Sequence, residues 1–225
     1  MLTSAFFNRD AKTVAKDLLG KIIRHHYKNT WLSCQIIETE AYYANEKGSH
    51  SSLGYTQKRK AMFMPSGTIY MYYARGADSL NVSVKGDGNA VLIKSAIPFI
   101  DEISLSSTLK VMQQLNPVNN SNKKRPVERL CSGQTLLCRS LHLRVKDWDQ
   151  KSFDINNFYI EDTGQTTHKY IQTTRLGIPT GRDEHLMYRF IDYTYANRCT
   201  KNPLTSRKQK EGEHYFVKNY VSTPR

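Results

Sequence analysis

No CxxC pair occurs in this chain. Its four cysteines, Cys34, Cys131, Cys138 and Cys199, are scattered, which argues against a zinc ribbon or a redox dithiol and for reduced thiols in an intracellular protein. No histidine or cysteine has metal-ligand spacing, so a zinc deaminase is disfavoured and neither metal nor cofactor is implied. No apolar stretch reaches membrane-spanning length, and Met1 to Gly20 lacks the apolar run of a secretory signal, so the protein is not expected to be secreted. No basic amphipathic helix stands out, which disfavours a membrane partner. Internal repeats are absent. Acid is scarce: 33 Lys and Arg against 20 Asp and Glu give a net charge of +13. That surplus fits a polyanionic partner such as nucleic acid, although a charged tail alone would also produce it. The 225 residues suffice for one domain with a substantial core.

The period of the apolar residues divides the chain. Asp10 to Leu19 reads as a helix, with Val14 and Leu18, then Ala15 and Leu19, at i, i+4 and Gly20 as its stop. Lys21 to Tyr27 and Trp31 to Tyr42 are β-rich and predict a hairpin across Lys28-Asn29-Thr30. Residues 43 to 61 are polar and loop-like, and include His50 and the cluster Lys58-Arg59-Lys60. After the turn Pro65-Ser66-Gly67 come strands over Thr68 to Ala74, Ser79 to Val84 and Ala90 to Ile97. They are separated by Arg75-Gly76-Ala77-Asp78 and Gly86-Asp87-Gly88, and predict an antiparallel meander. Leu105 to Leu115 reads as a helix, Asn116 to Pro126 as an exposed loop, and Val127 to Leu141 as a helix broken near Ser132-Gly133. Phe158 to Glu161 and Tyr170 to Arg175 are two further β runs. From Lys201 on, the chain reads as a polar, partly disordered tail.

The chemistry gathers in two of these segments. In Ile36-Ile37-Glu38-Thr39-Glu40-Ala41-Tyr42, two carboxylates and a tyrosine stand at i, i+2 and i+4, on one face of a strand. Acidic residues are depleted from strands, so such a pair marks either a solvated strand end or an acid–base site. Tyr70 and Tyr72 alternate onto one face of their own strand. Two such strands facing one cleft could sandwich a planar ring, with stacking worth roughly 1–3 kcal/mol per base. A carboxylate beside the sandwich could activate water, and Asn81 could read the ring edge. On a basic surface this describes an enzyme that acts on an extruded base.

Motifs in order along the chain sharpen that reading. They are Ala15-Lys16-Asp17-Leu18-Leu19-Gly20-Lys21, Ile37-Glu38-Thr39-Glu40-Ala41-Tyr42, His50, Met62-Phe63-Met64, Gly67-Thr68-Ile69-Tyr70-Met71-Tyr72, and Leu80-Asn81-Val82. Gly86-Asp87-Gly88, Ala90-Val91-Leu92-Ile93, Leu130-Cys131-Ser132-Gly133 with Leu137-Cys138, and Arg175-Leu176-Gly177-Ile178 follow. From about Ala15 to Phe190 the chain resembles the alkyladenine (3-methyladenine) DNA glycosylases, the monofunctional type without a helix-hairpin-helix.

The resemblance implies a single α+β domain over residues 1–200, with a curved antiparallel β-sheet flanked by helices and a β-hairpin that inserts into DNA. A polar basic tail over 201–225 would follow. It implies a base-excision enzyme that flips alkylated or deaminated purines (3-methyladenine, 7-methylguanine, hypoxanthine, ethenoadenine) out of double-stranded DNA. Water activated by Glu40 would cut the N-glycosidic bond, leaving an abasic site. Tyr42, His50 and Tyr72 would line the base pocket, and Asn81 would crowd the exocyclic amine of normal guanine. Arg75, Lys94, Lys58, Arg59 and Lys60 would contact DNA, and the protein would act as a monomer without cofactor. Departures from the family pattern are Arg75 where a wedging Tyr is usual, Lys94 where an Arg is common, a Gly76–Asn81 segment shorter by one residue, and Thr56-Gln57-Lys58-Arg59 in place of Thr-Pro-Arg-Asn. The alternative reading is a catalytically weak lesion-recognition DNA-binding protein of the same fold. An RNA-directed protein is a third.

Overall fold

The computed structural model describes residues 1–118, 123–165 and 167–220. Residues 119–122 of the expected Asn116–Pro126 loop and 221–225 of the expected tail lie outside the described residues. In chain order the strands are β1 (Ile22–Tyr27), β2 (Thr30–Tyr42), β3 (Ile69–Ala74), β4 (Ala77–Ser83), β5 (Ala90–Pro98), β6 (Phe158–Glu161), β7 (Lys169–Thr173), β8 (Arg189–Asp192) and β9 (Tyr215–Asn219). The α-helices are α1 (Ser4–Phe7), α2 (Ala11–Asp17), α3 (Thr108–Leu115), α4 (Gln134–Ser140) and α5 (Val145–Trp148).

Strand β2, 13 residues rich in β-branched and aromatic side chains, is the spine of a curved, open antiparallel sheet. One of its edges is taken first by β1 and then by β8, and the other by β5. The neighbour order β3-β4-β5-β2-β8-β7-β9 therefore sets the β3–β4–β5 meander beside the two glutamates of β2, with β8 on their far side. The expected β1–β2 hairpin and the meander both form, the former closed by Tyr27 opposite Thr30. The turn between β3 and β4 is tighter than the sequence predicts: Ala77 and Asp78 already pair in the ladder, leaving two residues, Arg75 (φ 51) and Gly76 (φ 79). Two consecutive left-handed residues are what a two-residue hairpin needs to match the twist of its strands.

Helix α2 packs Val14 and Ala15 on β2 and β5, and the Asp10 carboxylate caps it by accepting from the Thr13 amide at 3.1 Å. Helix α4 buries Leu137 and Cys138 against β4 and β5, after a break at Ser132-Gly133 where the sequence places one. Expected helix ends move inward: the first helix stops at Asp17, and the Leu105–Leu115 helix begins at Thr108. The stretch 43–61, read as loop, holds two 3-10 turns, His50–Leu53 and the start of Gln57–Phe63. Strands β8 and β9 are additions to the sequence reading; β9 pairs with β7 and lies within the segment read as a polar tail. All four cysteines are free and buried. Among the described residues, no helix is long and apolar enough to cross a membrane.

His25 of β1 gives the fold a pH dependence. Its ring is buried edge-on to Trp148 and Phe158, and Nδ1 donates to the Leu141 carbonyl oxygen at 2.7 Å. Burial disfavours the imidazolium and holds its pKa at about 4, against an ordinary 6.5. Between those values the unfolded chain binds a proton that the folded chain refuses. Stability from this group is therefore whole above pH 6.5, is lost as pH falls toward 4, and changes no further below that; the full span is worth about 3 kcal/mol. Urea midpoints at pH 7.5 and 4.5 measure it. The drop shrinks in His25→Asn, which keeps a donor for Leu141 but cannot titrate; an equal drop in wild type and variant would refute the assignment.

Candidate active site

Two β-bulges decide which way the carboxylates point. Leu32, Cys34 and Ile36 of β2 lie in the main core, and so does Ala41. Unbroken alternation would put Glu38 and Glu40 on the same side as Ile36, inside that core. The pairing instead steps from Ile36 opposite Ala96 to Glu38 opposite Ser95, so Ile37 is an extra residue, and it packs in a second cluster with Ile171 and Ile191. The parity of β2 flips there. A compensating step, Glu38 opposite Ser95 and Thr39 opposite Ile93, makes Lys94 the extra residue on β5. Adjacent side chains Lys94 and Ser95 then both reach the carboxylates: Lys94 Nζ lies 2.6 Å from Glu40 Oε1, and Ser95 donates to Glu38 Oε2. Bulges re-aim side chains in this way beside functional sites.

Glu40 sits fully buried at the wall of a cleft of about 930 Å3. Its Oε1 accepts from Lys94 Nζ and from the Leu176 amide at 3.2 Å, and its Oε2 accepts from the Tyr42 hydroxyl at 2.6 Å. Oε1 is thus filled, while Oε2 keeps one acceptor direction. Across the cleft, β3 sends Ile69 and Met71 into the core and turns Tyr70 and Tyr72 outward, stacked with ring centroids 5.5 Å apart. His50, at the start of its 3-10 turn, meets both: Nδ1 lies 3.2 Å from the Tyr70 hydroxyl, and its ring stands edge-on to Tyr72 at 4.3 Å. Asn81, opposite Tyr70 in the ladder, is buried in the same wall and donates from Nδ2 to the Tyr70 carbonyl oxygen at 3.2 Å. The two strand faces that carry chemistry in the sequence do share one cleft.

Arg75 stands exposed at the tip of the β3–β4 hairpin and reaches back over the cleft mouth. Its Nη2 is 3.6 Å from where a Cβ on Gly177 would lie. Lys94, expected to meet phosphate, is buried at Glu40 instead of facing outward. Lys58, Arg59 and Lys60 do not line the cleft. Lys58 is exposed, and Arg59 ties its own loop by donating to the carbonyl oxygens of Leu53 and Gly54 at 3.2 and 3.0 Å.

Three contributors have no role in the sequence reading, although Arg175 lies in the Arg175-Leu176-Gly177-Ile178 motif. Arg189, almost wholly buried in β8, donates from Nε to Glu38 Oε1 at 2.7 Å and comes within 3.9 Å of Glu40 Oε1. Thr200 donates its hydroxyl to Glu38 Oε1 at 2.7 Å and lines the cleft. Arg175 backs the pocket: its guanidinium lies 4.5 Å from the Tyr42 ring centre and pairs with Glu46 at 2.5 Å. The four-residue strand around Arg189 is too short to show a period, and Thr200 lies in a stretch of mixed polarity.

Burial alone would push the Glu40 carboxyl up. The Lys94 and Arg189 charges and the bonds from Lys94 and Tyr42 outweigh it, and the group sits below its ordinary value, ionised at neutral pH. Burial and the adjacent Glu40 charge drive the Tyr42 phenol well up, which fixes it as a donor. Burial, with Arg59 nearby, pushes His50 down and keeps it neutral at pH 7. Among the described residues, no group of three or more His, Cys, Asp or Glu could hold a metal ion.

Comparison with known proteins places this chain in the DNA glycosylase class. The sequence model of the Methylpurine-DNA glycosylase (MPG) family matches residues 5–196. This chain belongs to that family, and DNA is its substrate. It is 61% identical over 216 residues to a protein of Pseudomonas fluorescens (strain Pf0-1) named "Putative 3-methyladenine DNA glycosylase", covering 96% of this chain and 93% of the other. A Pseudomonas aeruginosa (strain LESB58) protein of the same name is 56% identical over 216 residues, covering 96% and 90%. One from Clostridium botulinum (strain Alaska E43 / Type E3), again of that name, is 34% identical over 215 residues, covering 92% and 100%.

Proposed function

We propose that this enzyme removes alkylated or deaminated purines, such as 3-methyladenine, 7-methylguanine, hypoxanthine and ethenoadenine, from double-stranded DNA by hydrolysis, leaving an abasic site. The observation that carries this reading is the ionised Glu40, with one acceptor direction open, beside a slot walled by Tyr42, Tyr72 and His50. The extruded base stacks between these rings, whose electron-rich faces favour a cationic alkylpurine. Water held on Glu40 Oε2 attacks the sugar C1′. The new bond is O–C1′, the bond to the purine nitrogen breaks with its electron pair leaving on the base, and the water proton passes to Glu40. 3-Methyladenine and 7-methylguanine, already cationic, leave neutral; hypoxanthine and ethenoadenine, uncharged in DNA, leave as anions and then take up a proton from solvent, which balances the one that Glu40 gives back. As C1′ gains positive character the same carboxylate stabilises it.

In this reading the β3–β4 hairpin enters the minor groove, Arg75 fills the place of the flipped nucleotide, and Lys58, Arg59 and Lys60 meet phosphates of the backbone. Asn81 crowds the exocyclic amine of guanine and disfavours the normal base. The burial of Lys94 supports a role at Glu40 rather than on the outer backbone. In this reading the protein works as a monomer.

Duplexes with a single ethenoadenine or hypoxanthine, and bulk-methylated DNA, test the reading. Alkali-labile abasic sites and free modified base should appear with lesion DNA and not with its undamaged twin. Lesion duplex that is bound but yields no abasic sites from any of the three substrates would overturn it in favour of a lesion-recognition protein.

A further inference from the structure

We propose that Arg189 is a positioning residue for Glu40: clamped between Glu38, Thr200 and the Lys201 backbone, it holds a cation 3.9 Å from the catalytic carboxylate and fixes where that carboxylate stands. This inference rests on the role given to Glu40 above. The geometry is a buried chain of alternating charge, Lys94–Glu40–Arg189–Glu38, spread over three adjacent strands, β5, β2 and β8. Arg189 Nη2 lies 2.6 Å from Glu38 Oε1 and donates to Thr200 Oγ1 at 3.0 Å and to the Lys201 carbonyl oxygen at 2.9 Å. Glu38 is saturated in turn by Ser95, the Thr200 hydroxyl and the Thr200 amide. A guanidinium held at this many points cannot rotate away, and its Nε stays 3.9 Å from Glu40 Oε1.

The fixed fork matters because two carboxylates stand two residues apart on one buried strand face. Without a cation between them, each carboxylate would raise the other's affinity for a proton, even with Lys94 still at Glu40. The charged or titratable groups facing Glu40 are Lys94 from β5, Tyr42 and Glu38 from β2, Tyr72 from β3 and Arg189 from β8. Of these, only Lys94 and Arg189 are cations. Arg189 is tied to the chain just beyond the family-matched span, so the Thr200–Lys201 segment belongs to the machinery of the site.

The test is the pH dependence of single-turnover excision from an ethenoadenine duplex, over the range where circular dichroism shows the fold intact. Arg189→Met is expected to raise the midpoint of the acid limb by about one pH unit or more and to lower the plateau. Arg189→Lys restores the limb to the wild-type position, while the plateau stays reduced because the fork is lost. Glu38→Gln leaves the limb at or below the wild-type midpoint, since it frees Arg189 for Glu40. Should the Met variant fail to fold, Arg189→Gln, which keeps a donor without the charge, must show the same upward shift. A limb that does not move in the neutral variants, or that rises in Glu38→Gln, overturns the proposal. A Glu40→Gln enzyme that still excises would overturn the assignment of Glu40 itself. A dead Glu40→Gln with unmoved Arg189 limbs would overturn only the positioning role.

Discussion

Glu40→Gln is expected to lower single-turnover excision at least about 10³-fold while the lesion duplex stays bound, a loss of roughly 4 kcal/mol or more of transition-state stabilisation. The amide keeps the carboxylate's shape. Its oxygen can accept from Lys94 and the Leu176 amide as Oε1 does now, and the Tyr42 hydroxyl can turn to accept from the new NH2. The walls of the slot therefore persist. In the proposed reaction, what disappears is the negative charge beside C1′ and the ability to take a proton from water. The variant also gains one unit of net positive charge, so affinity for DNA should hold or rise slightly. Gel-shift and excision assays on the same ethenoadenine duplex give both numbers. An enzyme that retains its rate would remove Glu40 from the reaction.

The second large effect concerns Lys94. Its substitution by Met should cost about 100-fold in excision and leave the salt dependence of DNA binding unchanged. The ammonium neutralises Glu40 at 2.6 Å inside a buried wall, and its loss leaves the carboxylate with Arg189 as the remaining nearby cation. The Glu40 pKa then rises and the acid limb moves up with it. A lysine that met a phosphate would behave otherwise: binding would weaken evenly across sequences, and the slope of log K against log salt would fall by about one. Salt titrations of both proteins, alongside excision rates at pH 6 and 8, separate the two roles.

Lys94 also shows where sequence reading stops. The motif around Glu40 and the Tyr70/Tyr72 alternation are legible because strands have a period of two, and the structure does set those faces across one cleft. The meander and the first hairpin were legible for the same reason, with turn residues at each reversal. The bulges were not. Ile36-Ile37 reads as an ordinary apolar run, yet one of the two is an extra residue that turns β2 over; Lys94 does the same on β5. Nothing in composition marks a residue that skips its partner. Long-range partners were equally hidden: Arg189 reaches Glu38 from 151 positions away, in a strand of four residues. Strand β9 was hidden because its short Tyr215-Phe216-Val217 run sits among polar residues; it pairs with the edge of β7 and lays Tyr215 and Val217 on the Ile37–Ile171–Ile191 cluster.

The reversal at Arg75-Gly76 carries a consequence for encounter with a double helix. A two-residue link between paired strands has almost no slack, and both of its members already occupy the left-handed basin. In the proposed insertion, the side chain at position 75 would be delivered on a stiff prong, with little backbone freedom left to surrender on docking. The same stiffness narrows what evolution can install there: valine or isoleucine would resist that torsion, whereas asparagine or glycine would accept it at once.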